Sequence, residues 1–174
     1  MQFFPQNRQG CWFITFATAT RPPGVQKKVM IATNYVAKAE TSIYVSAYKV
    51  WMALTEPEFI KRYMFGTTVT SDWKEGSKII WEGEWQGKHY KDKGKILELI
   101  PGKRLQYSHF SPLNGSDDVP ENYHIVTIDL VKKDDHTVVL LKQDNNHTEE
   151  ERQHSERNWK MMLESMKQLL EETN

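Results

Sequence analysis

The sequence predicts an α+β domain in which one long C-terminal helix covers one face of an antiparallel sheet. Turn-punctuated segments of alternating apolar and polar residues fill 77–143, and apolar residues recur at helical spacing after Thr148. Two short helical segments follow the first strand. The helix must bury the apolar face of the sheet. Because twisted strands curl, we expect a curved sheet that leaves a space beneath the helix.

The first strand and the two short helices are predicted from the segment that ends in VWMALTEPEFIKRYMFG. Residues 35–45 mix β-branched and aromatic residues with polar ones, which is typical of a strand. Ser46 can cap a helix over about 47–54, and Thr55 is expected to cap a second helix that begins near Pro57. Helices this short are unstable alone in water, so we expect them to close one end of the space.

The remaining strands are separated by turn signals such as Gln86-Gly87, Pro101-Gly102 and Asp134-Asp135. In the segment SKIIWEGEW, Ile79 and Trp81 share one face and Glu82 and Glu84 share the other, as period-two alternation requires. The predicted strands after the two helices cover residues 77–85, 88–100, 104–111, 123–132 and 137–143.

The long helix is predicted over residues 149–172. Thr148 and Glu151 form a capping box at its start, and Leu and Met residues then recur on one face from Trp159 onward. At 1.5 Å per residue this helix would be about 35 Å long, enough to cross a small domain.

Composition excludes several classes of function. The 174 residues fit one domain, and 23 basic residues balance 23 acidic ones, so no overall field attracts nucleic acid. A single cysteine excludes an internal disulfide and a cysteine-based zinc site. No apolar run approaches roughly eighteen residues, so we expect no membrane span. We therefore expect a cytoplasmic protein without a metal or a cofactor.

The N-terminal residues 1–33 differ from the rest. No Asp or Glu occurs before Glu40, and the stretch CWFITFATA has the outline of a signal-peptidase site. That apolar run is short, contains Thr15 and follows only one positive charge, so it fits a signal peptide poorly. We interpret 1–33 as a poorly ordered extension or a mis-assigned start, and 34–174 as the folded domain.

Twenty aromatic residues either fill the core or line a cavity, and the pattern does not decide between the two. Flat apolar walls would suit a planar or acyl ligand. The residues predicted to line such a cavity are Trp51, Tyr63, Phe65, Trp73, Trp81, Trp85, Tyr90, Asp92, Tyr107, His109, His124, Trp159, Met162 and Met166.

Three polar residues in this set, Asp92, His109 and His124, are candidates for proton transfer. Alternation places Asp92 on the face of Trp81, between lysines that point away. The three either form one inward cluster or are scattered over the rim and surface, because a single bulge reverses every later assignment. No known catalytic motif is present, so no catalytic residue is assigned. His147 and His154 are interpreted as solvated residues, with a metal pair as the alternative.

The pattern V-W-x-A-L-T-x-P-E at residues 50–58 resembles the START-like helix-grip superfamily (SRPBCC). It is most similar to the branch named after the C-terminal domain of the heat-shock protein 90 ATPase activator. GKILELIP at 94–101 followed by Leu105, and Trp159 with its Leu/Met run, match the same branch. The resemblance covers about 34–172 and implies a helix-grip fold with an apolar cavity. Many relatives have Trp where Tyr63 stands, which implies a more polar cavity mouth here.

Three functions are compatible with these observations. The first is a binding module that holds an apolar or amphipathic small molecule beneath the last helix. The second is a co-chaperone-type interaction protein whose outer sheet face, with Glu82, Glu84, Lys91, Lys93 and Lys95, meets a protein partner. The third is a polyketide cyclase- or hydrolase-like enzyme. The superfamily includes carriers, enzymes and co-chaperones alike, so the resemblance does not choose among these functions. We expect a monomer or homodimer.

Overall fold

The computed structural model describes residues 35–85 and 87–172, so the prediction for 1–33 lies outside the described residues. Seven antiparallel strands form one sheet in the order β1-β7-β6-β5-β4-β3-β2, and three helices accompany it. The predicted α+β helix-grip fold is confirmed. The strands are β1 Tyr35–Ile43, β2 Thr68–Ser71, β3 Lys78–Trp85, β4 Lys88–Ile100, β5 Arg104–His109, β6 His124–Lys132 and β7 Thr137–Asn146. The helices are α1 Ala47–Thr55, α2 Pro57–Tyr63 and α3 Glu149–Glu172.

Each predicted strand is present, with ends that differ by a few residues. Strand β2 was not predicted. Its four residues, TVTS, pair with β3 from Ile79 to Glu82 at the edge of the sheet. Four residues are too few to show an alternation that stands out from a loop.

The break between α1 and α2 is built differently from the prediction. The Ser46 hydroxyl accepts from the amide of Lys49 (3.3 Å), so its predicted role as a cap is confirmed. The prediction for Thr55 is wrong: it ends α1, and its hydroxyl donates to the carbonyl of Trp51 (3.0 Å). Glu56 precedes α2 without a side-chain cap, and Pro57 begins the helix. Proline fits there because the first helical N–H has no partner within the helix.

Helix α3 starts at the predicted capping box. The hydroxyl of Thr148 accepts from the amide of Glu151 (3.1 Å), while the Glu151 carboxylate accepts from the amide of His147 (2.7 Å). The helix then buries one face against the sheet, formed by Met162, Leu163, Met166, Leu169 and Leu170. These side chains share one core with inward residues of the sheet and with Val50, Ala53 and Leu54 of α1.

Carboxylates of α3 also bind the backbone of the edge strand β1. The amide of Lys38 donates to Glu156 (3.1 Å), and that of Tyr44, just after the strand, donates to Glu171 (2.9 Å). The Lys49 ammonium donates to the carbonyl of Leu170 (3.2 Å). Helix α3 is therefore held along the sheet edge by polar contacts as well as by the core.

Strand β4 bends between its two partners. Its first half pairs with β3 and its second half with β5, and the register to β5 shifts between Ile96 and Glu98. At Gly94 the strand passes so close to β5 that an added Cβ would lie 1.6 Å from the carbonyl oxygen of Ser108. Only glycine fits there, because the obstacle is backbone and cannot rotate away.

We expect Gly94→Ala to destabilise the domain strongly, by about 3 kcal/mol, as overpacking of a rigid site does. The change forces β4 and β5 apart. The free energy of unfolding from urea titration measures the loss.

Gly83→Ala is the matched control for this variant. Its added Cβ would meet the end of the Tyr90 side chain at 2.8 Å, and a side chain can move. A loss for Gly94→Ala no larger than that for Gly83→Ala would contradict the rigid-contact explanation.

His124 ties the start of β6 to the end of β7. Its Nδ1–H donates to the carbonyl of Asp144 (2.8 Å), which is an acceptor only. Burial lowers the pKa of His124, and the nearby His109 and His147 lower it further, against the opposing effect of the Asp144 carbonyl and carboxylate. His124 is therefore neutral in the folded protein at neutral pH.

We expect the stability of the protein to fall as the pH drops from about 7 to about 5, partly because of His124. Its folded pKa lies below the unfolded value of about 6.5. Its contribution is therefore complete above that value and is lost as the pH falls toward the folded pKa. His124→Asn keeps an amide donor that does not titrate, so this variant should lose less stability on acidification.

Unfolding free energies at both pH values measure the difference, with His89→Asn as the control, since the His89 side chain is 88% exposed. If the wild type and His124→Asn lose the same unfolding free energy on acidification, the role assigned to His124 is contradicted.

Candidate ligand-binding cleft

One space beneath the middle of α3 is small. It has a volume of about 30 Å³ and is bordered by side chains such as Tyr63, Trp81, Tyr107 and Met162. A volume of this size accommodates about one or two water molecules. The aromatic rings here are core residues, and burial raises the pKa of Tyr63 and of Tyr107, so both phenols stay protonated.

A larger space opens at the end of the domain where α2 finishes and α3 begins. Two adjoining volumes of about 280 Å³ and 610 Å³ share six lining residues. We call this space the cleft and define it by these residues: Met64, Tyr90, Asp92, His109, Asn158 and Trp159. It is accessible to solvent, with the aromatic core as its floor.

An acidic and a basic side chain meet in the cleft. Asp92 Oδ2 lies 3.1 Å from His109 Nε2, and the two side chains are only 14% and 20% exposed. The Trp81 ring meets the His109 ring edge-on, with centroids 5.3 Å apart. In the strand register, Trp81 of β3 lies directly opposite Asp92 of β4. Beside this pair, the backbones of β4 and β5 approach each other closely at Gly94 and Ser108.

The second carboxylate oxygen of Asp92 is buried and has no hydrogen-bond partner among the described residues. Leaving a buried acceptor unsatisfied costs about 1–3 kcal/mol, and more when the group is charged. A hydrogen-bond donor on a ligand would remove that cost once the Asp92 side chain turns this oxygen toward the cleft, because the oxygen is buried as it stands. This oxygen is the strongest chemical feature of the site.

Tyr90 connects the cleft to the end of α2. Its hydroxyl lies 2.6 Å from that of Thr67, which in turn lies 2.6 Å from the carbonyl of Met64. Because a carbonyl only accepts, Thr67 donates its proton to Met64, and Tyr90 donates to Thr67. The Tyr90 ring lies over Gly83, where a side chain would collide with it.

A buried polar network fixes the opposite wall of the cleft. The Trp159 indole donates to the amide oxygen of Gln143 (2.7 Å), and the Gln143 amide donates to Asn146 and to Ser155 (3.1 Å each). Ser155 donates to Asn146 (2.9 Å), which also donates to the carbonyl of Tyr35 (2.8 Å). These bonds hold the Trp159 ring in one orientation.

Sequence reasoning missed Gln143, Ser155 and Asn158, all of which border the cleft. A signal for Gln143 existed, because it continues the inward alternation of Val139 and Leu141 along β7. Polar residues at such positions are usually taken for the end of a strand. Nothing in the sequence marks Ser155 or Asn158.

The structure brings many of the predicted residues to the cleft or its edge. They are Phe65, Trp81, Tyr90, Asp92, Tyr107, His109, Trp159 and Met162. Phe65 lies at the rim, 56% exposed, in a left-handed conformation (φ 51°). Asp92 and His109 form a pair on the inner face.

Other predicted residues lie elsewhere. Tyr63 and Trp73 border only the small space beneath α3, and Met166 is buried in the core. Trp51 packs against the core, and His124 is bonded to β7, so neither borders the cleft. The Trp85 side chain lies outside the described part of the structure.

Within residues 35–85 and 87–172, no three His, Cys, Asp or Glu side chains are grouped so that they could hold a metal ion. His147 and His154 are exposed, and His154 Nε2 lies 3.0 Å from the amide nitrogen of Asn158. None of the described helices is long and apolar enough to cross a membrane.

Comparison with known proteins shows the family. The model of the family described as "Activator of Hsp90 ATPase homolog 1-like protein" matches residues 44–171. The solution structure of ChR145 from Cytophaga hutchinsonii is 57% identical, with a TM-score of 0.70, and the match covers 79% of this chain and 94% of that one. No curated protein matches the chain.

More distant solved structures share the fold alone. The Aha1 dimer from Colwellia psychrerythraea is 22% identical over 78% of this chain and 95% of that one, with a TM-score of 0.63. CalU16 from Micromonospora echinospora is 19% identical over 79% and 82%, with a TM-score of 0.59.

The resemblance inferred from residues 50–58 and 94–101 is thereby confirmed. The chain belongs to the activator of Hsp90 ATPase homolog 1-like family, a branch of the START-like helix-grip proteins.

Proposed function

We propose that this protein binds an amphipathic small molecule in the cleft. The observation that supports this most is the buried, unpartnered oxygen of Asp92 within an otherwise largely aromatic wall. The ligand would place a hydrogen-bond donor against Asp92 and a flat apolar part against Trp159 and Met64. Both halves of such a ligand match a surface of the cleft.

The sizes of the spaces support the open cleft over the interior. About 30 Å³ beneath α3 is too small for any organic ligand, whereas 280 and 610 Å³ are of the order of ligand pockets. Since the cleft opens to solvent, part of the ligand would stay in water. An amphipathic molecule meets both requirements.

We expect 2-naphthol to bind more tightly than naphthalene, because its hydroxyl donates to Asp92. Asp92→Asn should weaken 2-naphthol binding about tenfold, because an amide oxygen that bonds to His109 leaves an NH₂ group, which only donates, in place of the unpartnered carboxylate oxygen. The affinity for naphthalene should not change. Quenching of tryptophan fluorescence measures both affinities.

Glu82→Gln, on the opposite face of the sheet, is the control and should leave both affinities unchanged. Failure of both probes to bind the wild type, or equal losses for both in Asp92→Asn, would contradict the proposal.

The Asp92–His109 pair supports an enzyme as a second candidate. A carboxylate that accepts from one imidazole nitrogen orients the ring, and the other nitrogen can then take a proton. The 3.1 Å separation within a solvent-accessible cleft meets that geometric requirement.

If this candidate is right, the wild type should hydrolyse p-nitrophenyl acetate faster than His109→Gln, by about tenfold or more. Absorbance of the released nitrophenolate measures the rate. His89→Gln controls for surface imidazoles, and equal rates in all three proteins would exclude general-base catalysis by His109.

The co-chaperone-type role, the cytoplasmic location and the choice between monomer and homodimer stay predictions. The charged face proposed for a chaperone partner is partly self-paired, with Lys91 bonded to Glu82 (2.7 Å) and Lys93 bonded to Asp118. A partner would compete with these ion pairs. The Colwellia neighbour is described as a dimer, which bears on that protein alone.

A further inference from the structure

A second concave site lies on the outer face of the sheet, opposite the cleft. Along β4, Tyr90 and Asp92 face the cleft, and the alternating residues Lys91, Lys93 and Lys95 face outward. A groove of about 940 Å³ runs there between the outer face of the strands and the segment 111–123. We call it the outer groove. It belongs to neither of the spaces described above.

Two of the outer-groove lysines form ion pairs with described acidic side chains, and the other two do not. Lys91 is bonded to Glu82 and Lys93 to Asp118. Lys78 and Lys95 lie directly opposite each other on β3 and β4, and no described acidic group lies within ion-pair distance of either. Like charges directly opposite each other across strands destabilise a sheet. An anion bound between the two would reverse the sign of that interaction.

The floor and far wall of the outer groove are apolar. Ile80 and Phe110 line the outer groove beside the backbone of Gly94. The Phe110 ring stacks on Tyr123, with centroids 5.2 Å apart.

Two bonds hold the wall in place. The Tyr123 hydroxyl donates to Asp118 (2.8 Å), and Asp118 is bonded to Lys93. The segment 111–123 is therefore fixed across the sheet before any ligand arrives.

We infer that the outer groove is a second binding site, for an organic anion with a flat apolar body. A carboxylate or phosphate would sit between Lys78 and Lys95, and the apolar part would lie over Ile80 toward Phe110. This ligand differs from that proposed for the cleft, which needs a donor for a carboxylate. The two sites face opposite sides of one sheet, so both can be occupied together.

Phenyl phosphate is the probe that tests the inference, with inorganic phosphate as the probe for charge alone. We expect phenyl phosphate to bind more tightly than phosphate, and the Lys78→Gln/Lys95→Gln double variant to bind it at least tenfold more weakly. Amide chemical shifts in ¹⁵N NMR titrations measure both the affinity and the place of binding. Both lysines are exposed, so the double variant should fold.

The control variant Lys132→Gln/Lys142→Gln removes the same charge from exposed lysines of β6 and β7. It should bind like the wild type, and so should Asp92→Asn, which tests the cleft separately. Equal loss of phenyl phosphate affinity in both double variants would overturn the inference. So would equal affinities for phosphate and phenyl phosphate, or amide chemical-shift changes confined to the cleft. Binding of polyglutamate without binding of phenyl phosphate would also overturn it.

Discussion

The close approach of β4 to β5 at Gly94 is the constraint on which the junction of these two strands depends. An atom at the Cβ position would lie 1.6 Å from the Ser108 carbonyl oxygen, so the two backbones can meet only where no side chain intervenes. On the inner face Asp92 contacts His109 beside this approach. On the outer face the same stretch of β4 carries Lys93 and Lys95, which line the outer groove. The two faces of β4 therefore border two surfaces of opposite chemistry.

Polar contacts, more than the core, determine where open space remains. The core beneath α3 is filled by Trp81, Tyr107 and Met162, and about 30 Å³ is left. At the N-terminal half of α3, two hydrogen bonds take the place of apolar packing. Gln143 donates to Ser155 and accepts from Trp159. Directional bonds hold the helix at a fixed distance from the sheet without filling the volume between them. The cleft lies where these hydrogen bonds replace apolar packing between α3 and the sheet.

Period-two alternation predicted the strands from β3 to β7, because each of these segments is long and one of its faces is buried. It also placed Asp92 on the face of Trp81, and these two residues are direct partners across β3 and β4. The same alternation identified the lysines of β4 as outward. The position of the open space was not predictable, since it depends on how closely the rings of Trp81 and Tyr107 pack in three dimensions. The distance between Asp92 and His109 also depends on the shift between Ile96 and Glu98, which leaves no mark in the sequence. Thr55 was misassigned because its hydroxyl can bond backward as well as forward along the chain.

The two glutamates that α3 extends to β1 have a consequence for association between chains. Strand β1 lies at the edge of the sheet, and an edge strand offers outward N–H groups on which another strand can assemble. Glu156 accepts from the amide of Lys38 within β1, and Glu171 accepts from that of Tyr44 just after the strand ends. An incoming strand would have to displace both carboxylates before it could pair, so the helix that closes the core also protects the protein against aggregation through this edge.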